Sequence, residues 1–156
     1  MDKSKIFTGY PCIKDAIILV QTDTTVGFLS QNAEKLSRIK ERDLNKPFLK
    51  NFFSFDTLKK NIRIPQNRKK EIRRSKKTTY IVKNKGFRVT HLPVSSMFLH
   101  QADWLYSTSA NKSGKMFDYN FAKEKADIIV INEVGLFESE ASHLIKCNDK
   151  KKVRLR

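Results

Sequence analysis

Apolar residues in this chain fall into short runs divided by polar turns, and their spacing switches between the period of strands and that of helices. Ala16-Ile-Ile-Leu-Val-Gln21 is an uninterrupted, β-branched run of strand length, which predicts a strand buried on both faces. It ends where Thr22-Asp-Thr-Thr25 begins, so the strand delivers a hydroxyl-rich loop. Asn32 stands at the N-cap of a predicted helix whose Ala33, Leu36 and Ile39 share one face. Lys40 and Arg42 then fall at its C-terminal end, where cations suit the helix dipole, beside a loop closed by Pro47. Asp56–Asn61 predicts a further helix, and Thr78–Lys83 and Gly86–Thr90 predict two strands joined through Asn84-Lys-Gly86 as a hairpin. Beyond them the pattern predicts a helix over Pro93–Gln101, a strand over Trp104–Thr108 and a short helix over Asn120–Ala126. Asp127–Ile131 reads as a buried strand, and His143–Cys147 with Lys152–Leu155 as a terminal pair. The expectation is a single mixed α/β domain spanning residues 1–156, with no repeat and no linker.

Composition adds limits. At 156 residues, with 39% hydrophobic and 31% charged side chains, the chain can bury one core. No apolar run approaches the roughly 20 residues needed to cross a bilayer. Met1–Tyr10 is too polar for a signal peptide, so no membrane partner and a cytoplasmic location are expected. Cys12 and Cys147 lie far apart with no paired His, which points to buried or idle thiols and to no metal site. His91, His100 and His143 lack ligand spacing, and Trp104 and the phenylalanines read as core. Asp23 is expected to organise its own loop through side-chain to backbone bonds.

The charge is regional. Of the net +16, a +12 excess lies between Lys59 and Arg88, where thirteen Lys or Arg face the single acid Glu71. Arg68–Lys77 is the densest part and reads as a short basic helix or loop, with a second cluster at Lys150–Arg156. Such a field attracts polyanions, and Arg73, Arg74, Lys76 and Lys77 are the candidates for RNA phosphates.

Tyr106-Ser-Thr-Ser-Ala-Asn-Lys-Ser-Gly114 gathers small hydroxyl and amide groups after an apolar strand, as a turn that could wrap phosphate. Together with Thr22-Asp-Thr24, Ile39-Lys-Glu-Arg42, Asn45-Lys-Pro47 and Arg88-Val89, it stands in the order and approximate spacing of the YrdC/YciO family. The chain resembles that family from about Ile17 to Arg154. The resemblance departs at Gln21 (usually proline), at Val26 (usually a tyrosine that helps shape the substrate pocket), at Thr90 and around Ser142-His143. The family's Trp-Pro-Gly-Pro segment has no counterpart, and the basic Gln66–Lys77 stretch occupies that region.

The resemblance implies a YrdC-like (YrdC/RibB) fold: a twisted open mixed sheet with flanking helices and a deep, positively charged cavity. It also implies an L-threonylcarbamoyladenylate synthase. Such an enzyme uses ATP, L-threonine and bicarbonate to make threonylcarbamoyl-AMP and pyrophosphate, for tRNA threonylcarbamoyladenosine modification through a downstream threonylcarbamoyl transferase. On this reading Lys40 and Arg42 are catalytic and, with Ser107, Ser109, Asn111, Ser142 and Arg154, contact ATP, while Thr24 and Arg88 face threonine. Mg²⁺ accompanies ATP with few dedicated protein ligands. The alternative is a non-catalytic or divergent YrdC-like protein that binds double-stranded RNA or tRNA through phosphate contacts.

Overall fold

The computed structural model describes residues 12–91 and 99–156. Most of the predicted helix over Pro93–Gln101 and the Met1–Tyr10 segment lie outside the described residues. The described chain forms one mixed sheet flanked by short helices. In chain order its strands are β1 (Ile18–Gln21), β2 (Val26–Ser30), β3 (Leu49–Phe52), β4 (Thr78–Val82), β5 (Lys85–Val89), β6 (Trp104–Ser109), β7 (Ile128–Val130), β8 (His143–Cys147) and β9 (Lys152–Arg154). They lie in the order β7-β1-β2-β6-β3-β5-β4-β8-β9. The helices are α1 (Ala33–Ile39), α2 (Phe55–Asn61), α3 (Lys69–Arg74) and α4 (Tyr119–Lys125), with a 3-10 turn over Gln66–Arg68 ahead of α3.

Local sequence explains the elements. Every residue of β1 is buried, because successive side chains enter different clusters: Ile18 and Val20 pack with Leu29 and Leu105, and Ile17 and Leu19 with Phe28 and Leu36. The Asn32 side chain caps α1 by accepting from Lys35 N at 2.9 Å, and Ser54 and Asp118 cap α2 and α4 in the same way. The helix α1 ends in a Schellman motif. Glu41 N donates to Arg38 O, Arg42 N donates to Ser37 O, and Glu41 takes the left-handed φ of 47° usually left to glycine.

The central hairpin forms as expected, with its turn at Lys83-Asn84 rather than over Asn84–Gly86. These residues, at φ 49° and 61°, join Val82 to Lys85, since two left-handed residues match the twist of the strands. Two expectations need correction. The strand expected to end at Thr108 runs on through Ser109, so β6 takes Ser109 out of the expected turn and the chain leaves the strand at Ala110. The strand over Asp127–Ile131 is half-buried rather than buried, because β7 is a sheet edge and Ile131 is exposed.

Pairing separates the two faces of the sheet. Gly27 faces Ser109, Leu29 and Leu49 face Ser107, and Asn51 faces Arg88 and Leu105, so these residues share one face. Phe28, Phe52, Phe87, Tyr80, Lys50 and Tyr106 belong to the other. That second face carries the clusters centred on Phe52, Phe87 and Phe28.

Candidate functional site

On the first face a cavity of about 190 Å³ opens between the β1–β2 loop, the end of β6 and the approach to β8. Thr22, Thr24, Gly27, Arg88, Ser107, Ser109 and Ser142 line it, together with Arg156. Arg88 is its electrostatic centre. Although it is only 3% exposed, its Nη1 donates to Thr24 Oγ1 at 2.7 Å and its Nε to Thr90 Oγ1 at 3.2 Å, with Nη2 3.4 Å from Asp23 Oδ1. Burial pulls the Arg88 pKa down and the Asp23 carboxylate opposes the shift. A guanidinium remains charged at any ordinary pH, so a fixed cation sits behind a wall of hydroxyls.

The loop that carries Thr24 is organised by Thr22 rather than by Asp23. Thr22 Oγ1 donates to Thr25 O at 2.7 Å and accepts from Thr24 N at 3.2 Å. Asp23 instead turns to Arg88 as an ion pair at 3.4 Å, and its buried Oδ1 makes no hydrogen bond among the described residues. Gly27 has a steric reason: a Cβ there would lie 3.1 Å from Thr108 O and 3.9 Å from Ser107 Oγ. The segment after β7 closes over this loop through Phe137 N to Gln21 Oε1 at 2.9 Å and Ser139 N to Thr25 Oγ1 at 3.1 Å.

The structure therefore brings Thr24, Arg88, Ser107, Ser109 and Ser142 around one space. Ser142 Oγ is 2.7 Å from Thr79 Oγ1, which fixes it on the wall. Lys40, Arg42 and Asn111 do not line the cavity; Lys40 and Asn111 meet each other beside Ser109. Lys40 Nζ donates to Ser109 O at 3.0 Å, to Asn111 Oδ1 at 2.9 Å and to Asn111 O, and Ser113 Oγ donates back to Lys40 O at 2.8 Å. Burial, aided by Arg42, pushes the Lys40 pKa down to about 8. Arg42 lies over the Phe48 ring at 4.6 Å and donates to Pro47 O at 3.0 Å, while its buried Nε has no partner among the described residues.

Arg154 is not on the cavity wall. Its guanidinium meets His143 Nδ1 at 2.9 Å, and Arg156 takes the wall position, with Nε donating to Ser142 O at 3.1 Å. The cause is a doubling of residues past β9: Leu155 N and Arg156 N both donate to Leu144 O, and such a bulge re-aims side chains. Val26 is also displaced from its expected role. It packs with Leu36 and Phe48 and is absent from the cavity wall, because β2 points it to the other face. Arg73, Arg74, Lys76 and Lys77 are exposed in and after α3, apart from the cavity.

Sequence reasoning missed Asn51. It is wholly buried between Arg88 and Leu105, on the face of the cavity, and neither amide atom has a partner among the described residues. An asparagine on the same face as Leu49, one residue before Phe52-Phe53, was the available signal. No group of three His, Cys, Asp or Glu side chains that could hold a metal occurs among the described residues. No helix there is long and apolar enough to cross a membrane.

Comparison with known proteins agrees with this architecture. Over 92% of its length the chain superposes on YciO from E. coli, covering 83% of that chain at TM-score 0.72 and 18% identity. Over 90% it superposes on a doubly substituted Sua5 from P. abyssi at TM-score 0.72 and 16% identity, and on P. abyssi Sua5 complexed with L-threonine at 0.69 and 17%. The chain spans about half the length of these Sua5 structures, 52% and 50%. No curated protein matches the sequence. The Sua5/YciO/YrdC family model, described as "Telomere recombination", matches residues 13–156, nearly the whole chain, and the protein belongs to that family.

Proposed function

We propose that this protein is an L-threonylcarbamoyladenylate synthase. The observation that carries the reading is the buried Arg88 guanidinium, held by Thr24, Thr90 and Asp23 at the back of a hydroxyl-lined cavity. A cation so placed suits a small carboxylate, and about 190 Å³ suits an amino acid better than a whole nucleotide. The relative solved with L-threonine makes threonine the first candidate. Bicarbonate and the threonine amine form a carbamate, with loss of water. A carbamate oxygen then attacks the α-phosphorus of ATP, the P–O bond to the leaving group breaks, and pyrophosphate departs with the electron pair. No side-chain nucleophile is needed; positioning and stabilisation of negative charge suffice.

In this reading Ser107 and Ser109 donate to phosphate oxygens at the cavity mouth, and Arg156 and Ser142 close the opposite side. Lys40 holds the Ser109–Asn111 backbone in place, and its charge lies near the departing phosphates. Arg42, with a donor to spare, takes the far end of the nucleotide. Magnesium would be carried by the triphosphate: the donors around the cavity are hydroxyls and guanidinium, which suit anions, and Asp23 is engaged by Arg88.

The test is pyrophosphate release from purified, folded protein supplied with ATP, bicarbonate and L-threonine. Threonine-dependent release is expected, and its absence would reject the activity.

A further inference from the structure

Arg156 reaches the cavity wall from an exposed stretch of backbone, where its Nε donates to Ser142 O at 3.1 Å. Its main-chain oxygen is gripped as well. Leu144 N donates to Arg156 O at 3.0 Å, and Arg154 Nε donates to the same oxygen at 3.2 Å. The Arg154 guanidinium is fixed in turn at its other end, with Nη2 2.9 Å from Nδ1 of His143. Ser142, His143, Arg154 and Arg156 thus close a ring of contacts around the bulge.

The ring spans both faces of the sheet. Ser142 turns into the cavity, and His143, the next residue, faces the other way: its partner on β4 is Thr78, on the side where Tyr80 stacks with Phe87. His143 therefore touches no cavity ligand and acts only through Arg154. A guanidinium carries donors alone, so Nδ1 accepts, and the bond exists only while that nitrogen keeps its lone pair. The charged neighbours are mostly cations: Arg154 and Arg156 past β8, and Lys76 and Lys77 at the entry to β4, where Lys77 O accepts from His143 N at 2.9 Å. Glu71 is spent at the far end of the β8–β9 pair, 2.7 Å from Lys152 Nζ and 3.7 Å from Arg68 Nη1. Glu140, ahead of β8, is exposed, and no Asp or Glu forms an ion pair with His143, Arg154 or Arg156 among the described residues. A proton on Nδ1 removes the acceptor and sets an imidazolium against the guanidinium.

We propose that His143 is a positioning residue for the phosphate side of the cavity and makes phosphate binding sensitive to pH. Neutral, it anchors Arg154, Arg154 holds the bulge, and Arg156 is presented to the ligand. Protonated, it releases Arg154, and the Arg156 contact is lost. The proposal rests on the reading of the cavity as a phosphate site. Imidazoles change charge between about pH 5 and 8, so the clamp is closed at the upper end of that range and open at the lower. The gain from a closed clamp is preorganisation: an exposed arginine already in place loses less side-chain freedom when its ligand arrives.

The test is calorimetric titration of the full chain with inorganic pyrophosphate at about pH 7.5 and about pH 5.5. His143→Asn keeps an acceptor in the place of Nδ1 that does not titrate, and His143→Lys carries a cation at both pH values. Both residues of the pair are exposed and outside the hydrophobic clusters, so these variants leave the core intact. Pyrophosphate itself gains a proton over this range, so wild type is read relative to His143→Asn. The two are expected to bind alike at the higher pH, and wild type roughly tenfold more weakly at the lower, the share of one charge-assisted hydrogen bond. His143→Lys and Arg154→Ala should bind weakly at both, and combining them should cost nothing further. Added positive charge by itself favours an anion, so the weakening carries the sign of the clamp. An unchanging ratio of wild type to His143→Asn would overturn the proposal, as would wild-type binding by His143→Lys or by Arg156→Ala, or no binding of pyrophosphate at all. The titration needs no turnover, and threonine-dependent pyrophosphate release is measured at about pH 8 with the clamp closed, so either reading can fail alone.

Discussion

Arg88 and Lys40 are both buried cations, and their surroundings give them different work. Arg88 spends three nitrogens on Thr24, Thr90 and Asp23, a fork that a lysine ammonium cannot reproduce. Arg88→Ala is expected to lower kcat/KM for threonine-dependent pyrophosphate release by roughly 2–5 kcal/mol, and Arg88→Lys to recover little of it; wild-type kinetics in either would remove Arg88 from the site. Lys40 is held by backbone and amide oxygens, with a pKa lowered from 10.5 to about 8. Between those values the unfolded chain binds the proton that the folded chain has released, so stability from this group grows as pH rises from about 8 towards 10.5 and is absent below. Denaturation midpoints of wild type and Lys40→Met, compared at neutral and alkaline pH, should show the wild type gaining on the variant as pH rises. Parallel midpoints would count against the depressed pKa. Both residues were legible from their place in motifs. That Lys40 braces Ser109 and Asn111, and that Asn51 faces Arg88, was not, because these contacts join positions far apart in the chain.

Elements were most legible where a local rule acts alone. Asn32 capping α1 and the β-branched run of β1 are such cases, since cap and period are local. The end of α1 shows the limit. Its Schellman motif places Glu41, not glycine, in the left-handed region, so the usual mark of a helix end was missing. Glu41→Gly should therefore raise stability by about 0.5–1 kcal/mol, measured by urea unfolding, because the left-handed penalty of a side chain exceeds glycine's entropic disadvantage. A loss of stability would mean that Glu41 makes compensating contacts. The terminal strands teach the same lesson in reverse. β8 and β9 pair as expected, yet the bulge opposite Leu144 decides that Arg156 and not Arg154 reaches the cavity. A bulge is a property of a pair of strands, and neither strand announces it.

At the scale of the molecule, the sheet is a partition. The cavity occupies one face, and the large aromatic clusters occupy the other. Phe87 is wholly buried and stacks with Tyr80 at 6.1 Å, immediately before Arg88 on β5. Phe87→Ala should cost about 3–5 kcal/mol in chemical denaturation and reduce activity through the displaced Arg88; a loss under about 1 kcal/mol would show that the second face can collapse around the gap. By itself the sequence determined the α/β class, the places of most elements, the regional charge and the residue types of an anion site, because periodicity, capping and composition act over a few neighbouring residues. Only the tertiary structure decided that Thr24, Arg88, Ser107 and Ser142 share one wall, that Val26 points away from it, and that Glu71 is spent on Arg68 and Lys152. Those outcomes follow from strand order and register, which set the face each side chain takes and depend on the whole chain folding together.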